Sequence, residues 1–179
     1  MKKFKNIRIT IIQWIFEKSI GFYARNFKKN KPVWNLTKAD LKKCANETLG
    51  KEMFLFLNRN NLEVIPKSEN HDCYHVLTNY QANTIDEIAL QYLCFGNGKR
   101  TINLFLIIIV GTLFIPEDLS FYIKSYRIGK QANRFYDLDF KKLLKVDLRA
   151  IQFVIFSEKQ LFNLYNNNII LNKSHAITF

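Results

Sequence analysis

An all-α, single-domain helical bundle with an N-terminal basic amphipathic helix is the fold class the sequence predicts, and three observations carry the prediction. Apolar residues recur at intervals of three, four and seven over most of the chain. No stretch alternates polar and apolar residues persuasively as a half-buried strand does. Helix starts and stops punctuate the apolar runs, Thr37, Pro116 and the triplet Gly96-Asn97-Gly98 among them. The 179 residues, 48% of them hydrophobic, suffice for one domain with a buried core.

Residues 1–31 form a basic arm. They hold nine Lys or Arg against a single acid, Glu17, so +8 of the formal +12 lies there and the body is near balance. Phe4, Ile7, Ile11, Trp14, Ile15 and Phe22 recur at helical spacing between the cations. Such a helix suits an anionic membrane surface, or packs on the body with its lysines solvated. It reads poorly as a signal peptide, because the apolar segment is short, interrupted by Gln13 and followed by charges.

Lys31-Pro32 ends the arm and opens a body predicted to span residues 32–156. Thr37 with Asp40 three residues on resembles a capping box, and Leu41, Ala45, Leu49, Phe54 and Leu57 mark the apolar face that follows, with Gly50 a break or packing point. The polar stretch from Asn58 to Asn70 is a loop leading to two helices, one through His71 and His75 and one through Glu87, the second stopped at Gly96-Asn97-Gly98. Ile102 to Ile115 is the most apolar run; it falls short of the roughly 20 residues that cross a bilayer and is expected to be a central helix buried all round, or the wall of an apolar cavity. Pro116-Glu117-Asp118 starts a helix running to Gly129. A last helical segment carries Leu138, Phe140, Leu143, Leu144 and Val146 and ends near Phe156, leaving 157–179 as a loosely held tail.

The chemistry concentrates at His71-Asp72-Cys73-Tyr74-His75, with Glu87 following after eleven intervening residues. Only three histidines occur in the chain. On a helix, residues four apart share a face with Cβ atoms roughly 5–6 Å apart, close enough for two imidazoles to reach one ion. Asp72 lies about a hundred degrees round the helix and either ligates directly or orients an imidazole from behind. An antiparallel neighbouring helix brings Glu87 over the histidines. The candidate metal ligands are therefore His71, Asp72, His75 and Glu87, a nitrogen and oxygen set that suits divalent zinc, or iron, cobalt or manganese. The alternative is that both histidines only make hydrogen bonds inside a helical core. A zincin is excluded because its general-base glutamate is replaced by Asp72. The cysteines Cys44, Cys73 and Cys94 lack metal spacing, and their odd number argues against a disulfide framework, which points to a reducing, cytoplasmic compartment.

At these residues the chain resembles the coenzyme Q protein four family of ubiquinone biosynthesis, whose motif His-Asp-x-x-His-x(11)-Glu falls on His71, Asp72, His75 and Glu87. The likeness covers roughly residues 45–155, including Leu49-Gly50, Glu87-Ile88-Ala89-Leu90-Gln91 and Tyr126-Arg127-Ile128-Gly129-Lys130. It departs where the family places glycines, at Asn79 and Asp86, and leaves either Arg149 or Gln152 at a position where the family has arginine. The resemblance implies a metal-dependent protein of prenylquinone biosynthesis acting on the ring carboxylate of a prenylated aromatic substrate, as a decarboxylase or hydroxylating enzyme. The second reading is a non-catalytic prenyl-lipid-binding or scaffolding protein of a biosynthetic complex. Both imply an isoprenoid lipid partner, peripheral contact with the inner face of the membrane, and homodimers among relatives. Nucleic-acid binding, which the +12 charge alone would permit, is disfavoured by the near-balanced body and the lack of a recognition motif.

Overall fold

In the computed structural model, which describes residues 4–14 and 33–166, every described element is helical. Residues 4–14 form α1. There follow α2 (Lys38–Lys42), α3 (Leu49–Arg59), α4 (Glu69–Thr78), α5 (Thr84–Gly96) and α6 (Ile102–Phe114). A 3-10 turn (Pro116–Asp118) leads into α7 (Leu119–Gln131), then α8 (Phe140–Leu143) and α9 (Leu148–Ile155). Residues 158–166 form α10. Strands are absent among the described residues; an isolated bridge joins Thr48 to Asp147. The rest of the arm, Ile15 and Phe22 included, and the tail beyond 166 with His175 lie outside the described residues.

The central helix is α5. Ile85, Ile88, Ala89, Leu90, Leu93 and Cys94 are all buried, so it is enclosed on nearly every side. It packs most extensively on α7, and the contact is close enough for backbone to touch backbone: a Cβ added at Gly129 would lie 1.9 Å from the Leu93 carbonyl oxygen, and one at Gly96 2.1 Å from that of Tyr126. Only glycine permits this approach.

The expected central helix, α6, is instead a surface helix. It buries Leu104, Ile107 and Gly111 against the body, while Ile102, Leu106, Ile109 and Leu113 on its opposite face are exposed. The helix is apolar all round, so periodicity carries no information about which side faces in. α1 is also reversed from a simple amphipathic reading. Ile9 and Ile12 point inward, Lys5 pairs with Asp118 at 2.8 Å and Arg8 with Glu117, and the face of Phe4, Ile7, Ile11 and Trp14 is left outside.

Two expected helices are each broken in two. α2 is capped as foreseen, with Thr37 and Asp40 bonded reciprocally, but ends at Lys42. The Leu138–Phe156 segment divides into α8 and α9. One set of contacts explains both breaks: Leu49 N–H donates to Val146 C=O and Gly50 N–H to Leu144 C=O (each 2.9 Å), and Leu148 N–H donates to Glu47 C=O (2.8 Å). The backbone groups that would continue either helix are used across the chain instead. The segment expected to be a loose tail is partly docked: in α10 Leu161 and Leu164 are buried, and Gln160 Nε2 donates to Ile128 C=O at 3.1 Å.

Candidate metal centre

α4 and α5 form a helical hairpin whose turn is fixed by its own side chains. α4 ends on Asn79 at φ 59°, a left-handed conformation that asparagine tolerates where glycine would otherwise stand. Asn83 caps α5, accepting from Asp86 N–H at 2.9 Å, and Asp86 accepts in return from Gln81 N–H at 2.8 Å and Asn83 Nδ2 at 3.1 Å. The extra carboxylate beside Glu87 therefore belongs to the turn.

This turn lays Glu87 over His71 and His75. His71 Nε2 and His75 Nε2 each lie 3.1 Å from Glu87 Oε2 and 3.2 Å from one another. Three lone-pair-bearing atoms thus converge on one point. Ligands at the corners of a tetrahedron about zinc, with bonds of about 2.1 Å, stand roughly 3.4 Å apart, so the spacing fits three donors to a single ion. His71, His75 and Glu87 form the candidate cation-holding group; Asp72, the fourth residue of the motif, is not in it. Asp72 acts on the site through its charge, which helps to raise the pKa of His75.

Several side chains outside the motif shape the group. His75 Nδ1–H donates to the Tyr80 carbonyl at 3.1 Å, which holds the proton on that nitrogen and turns Nε2 toward Glu87. Gln91 Nε2 donates to Glu87 Oε1 at 2.8 Å, leaving Oε2 for the centre. Phe56 stacks on the His75 ring with centroids 5.0 Å apart, and Tyr74 meets His71 edge-on at 6.4 Å. Lys99 places its ammonium 4.8 Å from the Tyr74 ring centroid, close enough to help lower the pKa of His71. No ion pair involves Lys99 among the described residues. Gln91 and Lys99 are invisible in the sequence as site residues, since each is one of many polar residues on helical or loop positions. The only signal for Gln91 is its position four after Glu87.

The protonation of the group follows from burial and mutual charge. Burial lowers the pKa of His71 and outweighs the pull of Glu87. Burial also disfavours charge on His75, but there the hydrogen bond and charge of Glu87, with Asp72 and the Tyr80 carbonyl, prevail, and its pKa is raised. Glu87 is likewise opposed by burial but is held well below the usual carboxylate range by the two imidazoles. Below the raised pKa of His75 the cation-free group therefore carries a proton on that ring, facing ionised Glu87. A metal ion must displace that proton. Affinity is expected to be highest above the raised pKa of His75 and to fall as the pH drops through it, by about tenfold per pH unit for one displaced proton. Competition titrations with a chromophoric chelator between pH 5.5 and 8.5 check this; a flat profile contradicts it.

The cysteines take no part. Cys73 is buried with its Sγ 3.8 Å from Met53 Sδ, burial raises its pKa, and all three thiols are free. Gln152, one candidate for the family's arginine position, is buried and donates to Leu77 C=O at 2.8 Å, whereas Arg149 lies over the Tyr165 ring at 4.9 Å.

No family model and no curated protein matches the chain. Among solved structures, a crystal structure from Nostoc punctiforme, of a protein provisionally assigned to ubiquinone biosynthesis, is similar with a TM-score of 0.58. The match covers 83% of this chain and 79% of that one at 18% sequence identity. At this identity the likeness establishes the shared helical fold.

Proposed function

We propose that this chain is a metal-dependent protein of prenylquinone biosynthesis, related to the coenzyme Q protein four family, acting on the ring carboxylate of a prenylated aromatic acid. The observation that carries the reading is the convergence of His71 Nε2, His75 Nε2 and Glu87 Oε2 within 3.2 Å, from motif positions a helix turn and a helix hairpin apart. The fold shared with the Nostoc protein supports it.

When bound, the ion, zinc or a redox-active metal, would polarise a ring oxygen or carboxylate, and a redox-active one would admit dioxygen as oxidant for a hydroxylation. The remaining work falls to the chain. Gln91 and the Tyr80 carbonyl hold Glu87 and His75 in ligating orientation. Phe56 shields His75 from water on one side. Lys99, an ammonium without a carboxylate partner among the described residues, would pair with the substrate carboxylate, which leaves as carbon dioxide while the ring carbon takes up a proton or, where dioxygen takes the two electrons and is released as hydrogen peroxide, a hydroxyl from water.

Incubating the metal-loaded full chain under air with a prenylated hydroxybenzoate, and following products by mass spectrometry, tests the proposal. The expected product has lost carbon dioxide, with or without one added oxygen. Glu87→Gln should give none, and Lys99→Gln should retain metal while raising KM at least about tenfold, as expected for one lost charge-assisted contact. Metal binding and lipid binding without any product would favour the scaffolding reading, which the exposed apolar faces of α1 and α6 also suit.

A further inference from the structure

We propose that Tyr80 is a positioning residue of the candidate centre: its hydroxyl is anchored on α7, and its backbone carbonyl holds His75 with Nε2 facing Glu87. This role rests on the metal reading of His71, His75 and Glu87, to which it adds α7 as a third helix that supplies no ligand.

A residue that follows a left-handed helix cap in a tight turn ordinarily lies at the surface. Tyr80 directly follows Asn79, yet it is fully enclosed, as is Ser125 on α7. The Tyr80 hydroxyl lies 2.8 Å from Ser125 Oγ. Ser125 spends its own proton on the Phe121 carbonyl, 2.9 Å away, so its oxygen accepts and Tyr80 donates. Burial pushes the pKa of the Tyr80 hydroxyl up, which keeps the donated proton in place. The Tyr80 ring meets Phe121 edge-on, with centroids 5.8 Å apart. One turn of α7 therefore grips both the ring and its hydroxyl.

The other end of Tyr80 reaches the centre. Its carbonyl accepts from His75 Nδ1–H at 3.1 Å, and the N–H of the same peptide unit, that of Gln81, donates to Asp86 Oδ2 at 2.8 Å. A peptide unit is planar, so fixing its N–H fixes the direction of its C=O. That direction matters because the stacking contact on the imidazole is indifferent to which edge faces Glu87. Phe56 lies over the His75 ring at an interplanar angle of 19°. A half-turn of the ring about its Cβ–Cγ bond would keep this stack while presenting Cε1 to Glu87 in place of Nε2. On the side away from Glu87, the bond to Tyr80 distinguishes the two positions. Removing the anchor on α7 loosens the turn that carries the carbonyl, and with it the imidazole.

Cobalt titration of the full metal-free chain, followed by ligand-field absorption with thermal melting alongside, tests the role. Tyr80→Phe keeps the ring against Phe121 and removes only the donor. Ser125→Ala removes only the acceptor, and carries the test should Tyr80→Phe fail to fold. Each should bind cobalt about tenfold more weakly, as at the lower end for changes behind a metal ligand, and with an altered absorption spectrum. The double variant should be weaker by the same factor, not by the product of the two, because both changes delete one bond. Tyr92→Phe is the control. It deletes a hydroxyl bond of similar length, to Thr112 Oγ1 at 2.7 Å between α5 and α6, and should leave affinity and spectrum unchanged at any cost in melting temperature. Unchanged affinity and spectrum in Tyr80→Phe and Ser125→Ala, or losses that multiply in the double variant, overturn the positioning role and leave the centre standing. An equal loss in Tyr92→Phe also overturns it, by showing a general effect of loosened packing. An unaltered chain that binds no cobalt overturns the metal reading itself, and the role of Tyr80 with it.

Discussion

Protein carrying His75→Ala is expected to be purified with less than about a tenth of an ion per chain, where the unaltered chain holds about one, because two donors no longer define a site and affinity drops by more than the roughly 10- to 100-fold typical of an outer-sphere change. Inductively coupled plasma mass spectrometry on untagged protein, after growth with zinc, iron, cobalt and manganese, reads the result and identifies the metal. Two companions separate ligation from packing. Glu87→Gln preserves shape and hydrogen-bonding capacity but removes the ligand charge, so it should lose metal as His75→Ala does while keeping its helical circular dichroism. Gln91→Leu removes only the donor to Glu87 Oε1 and should retain an ion with about 10- to 100-fold lower affinity. A full equivalent of metal retained in both His75→Ala and Glu87→Gln would dismiss the centre. The histidines would then be hydrogen-bonding groups of a helical core.

Gly129→Ala should be the most damaging of the glycine-to-alanine changes at the described glycines. Its Cβ would stand 1.9 Å from the Leu93 carbonyl oxygen, and neither partner is a side chain that can turn away. The helices must separate, at a cost of about 3 kcal/mol or more. For a chain of this length the midpoint of thermal unfolding should fall by about 6–12 °C. Gly111→Ala is the contrast. There the added Cβ meets the Cδ1 and Cγ1 atoms of Ile88 at 2.6 Å, a side chain able to rotate, and a loss of about 1 kcal/mol is expected. Equal melting temperatures for Gly129→Ala and the unaltered chain would show that α5 and α7 are not held at backbone contact. Because α5 carries Glu87, metal content offers a second readout of the same displacement.

The sequence made the site legible wherever its logic is local. His71 and His75 share a helix face by spacing alone, the Thr37 and Asp40 cap is a matter of three residues, and Gly96-Asn97-Gly98 stops α5 where it stands. What it concealed depends on partners distant in the chain. The outward turn of α1 is decided by Asp118 and Glu117, more than a hundred residues away, which no local pattern of Phe4, Ile7 and Ile11 can foretell. The breaks after Lys42 and Leu143 arise from hydrogen bonds between residues 47–50 and 144–148. The exchange of roles between α5 and α6 has a different origin. α6 is the more apolar, but α5 has two glycine contacts and polar residues, Gln91 and Asp86, that find partners inside, so packing and satisfied hydrogen bonds outweigh bulk hydrophobicity. Asn79 shows the reverse: a departure from the family's glycine leaves the turn intact, because asparagine supports the same positive φ.

All three converging donors sit between positions 71 and 87, on one hairpin. The longest loop that must close to assemble them spans 16 residues, whereas the Tyr74 hydroxyl bond to the Tyr136 carbonyl spans 62. The entropy of closing the shorter loop is smaller by about 1.2 kcal/mol, and contacts so near in sequence form ahead of those that fasten α4 to the distant part of the chain. The hairpin of the candidate centre is thus expected to be an early unit in the order of folding, and a metal ion, if bound during synthesis, would brace it before the C-terminal third of the chain has arrived to enclose it.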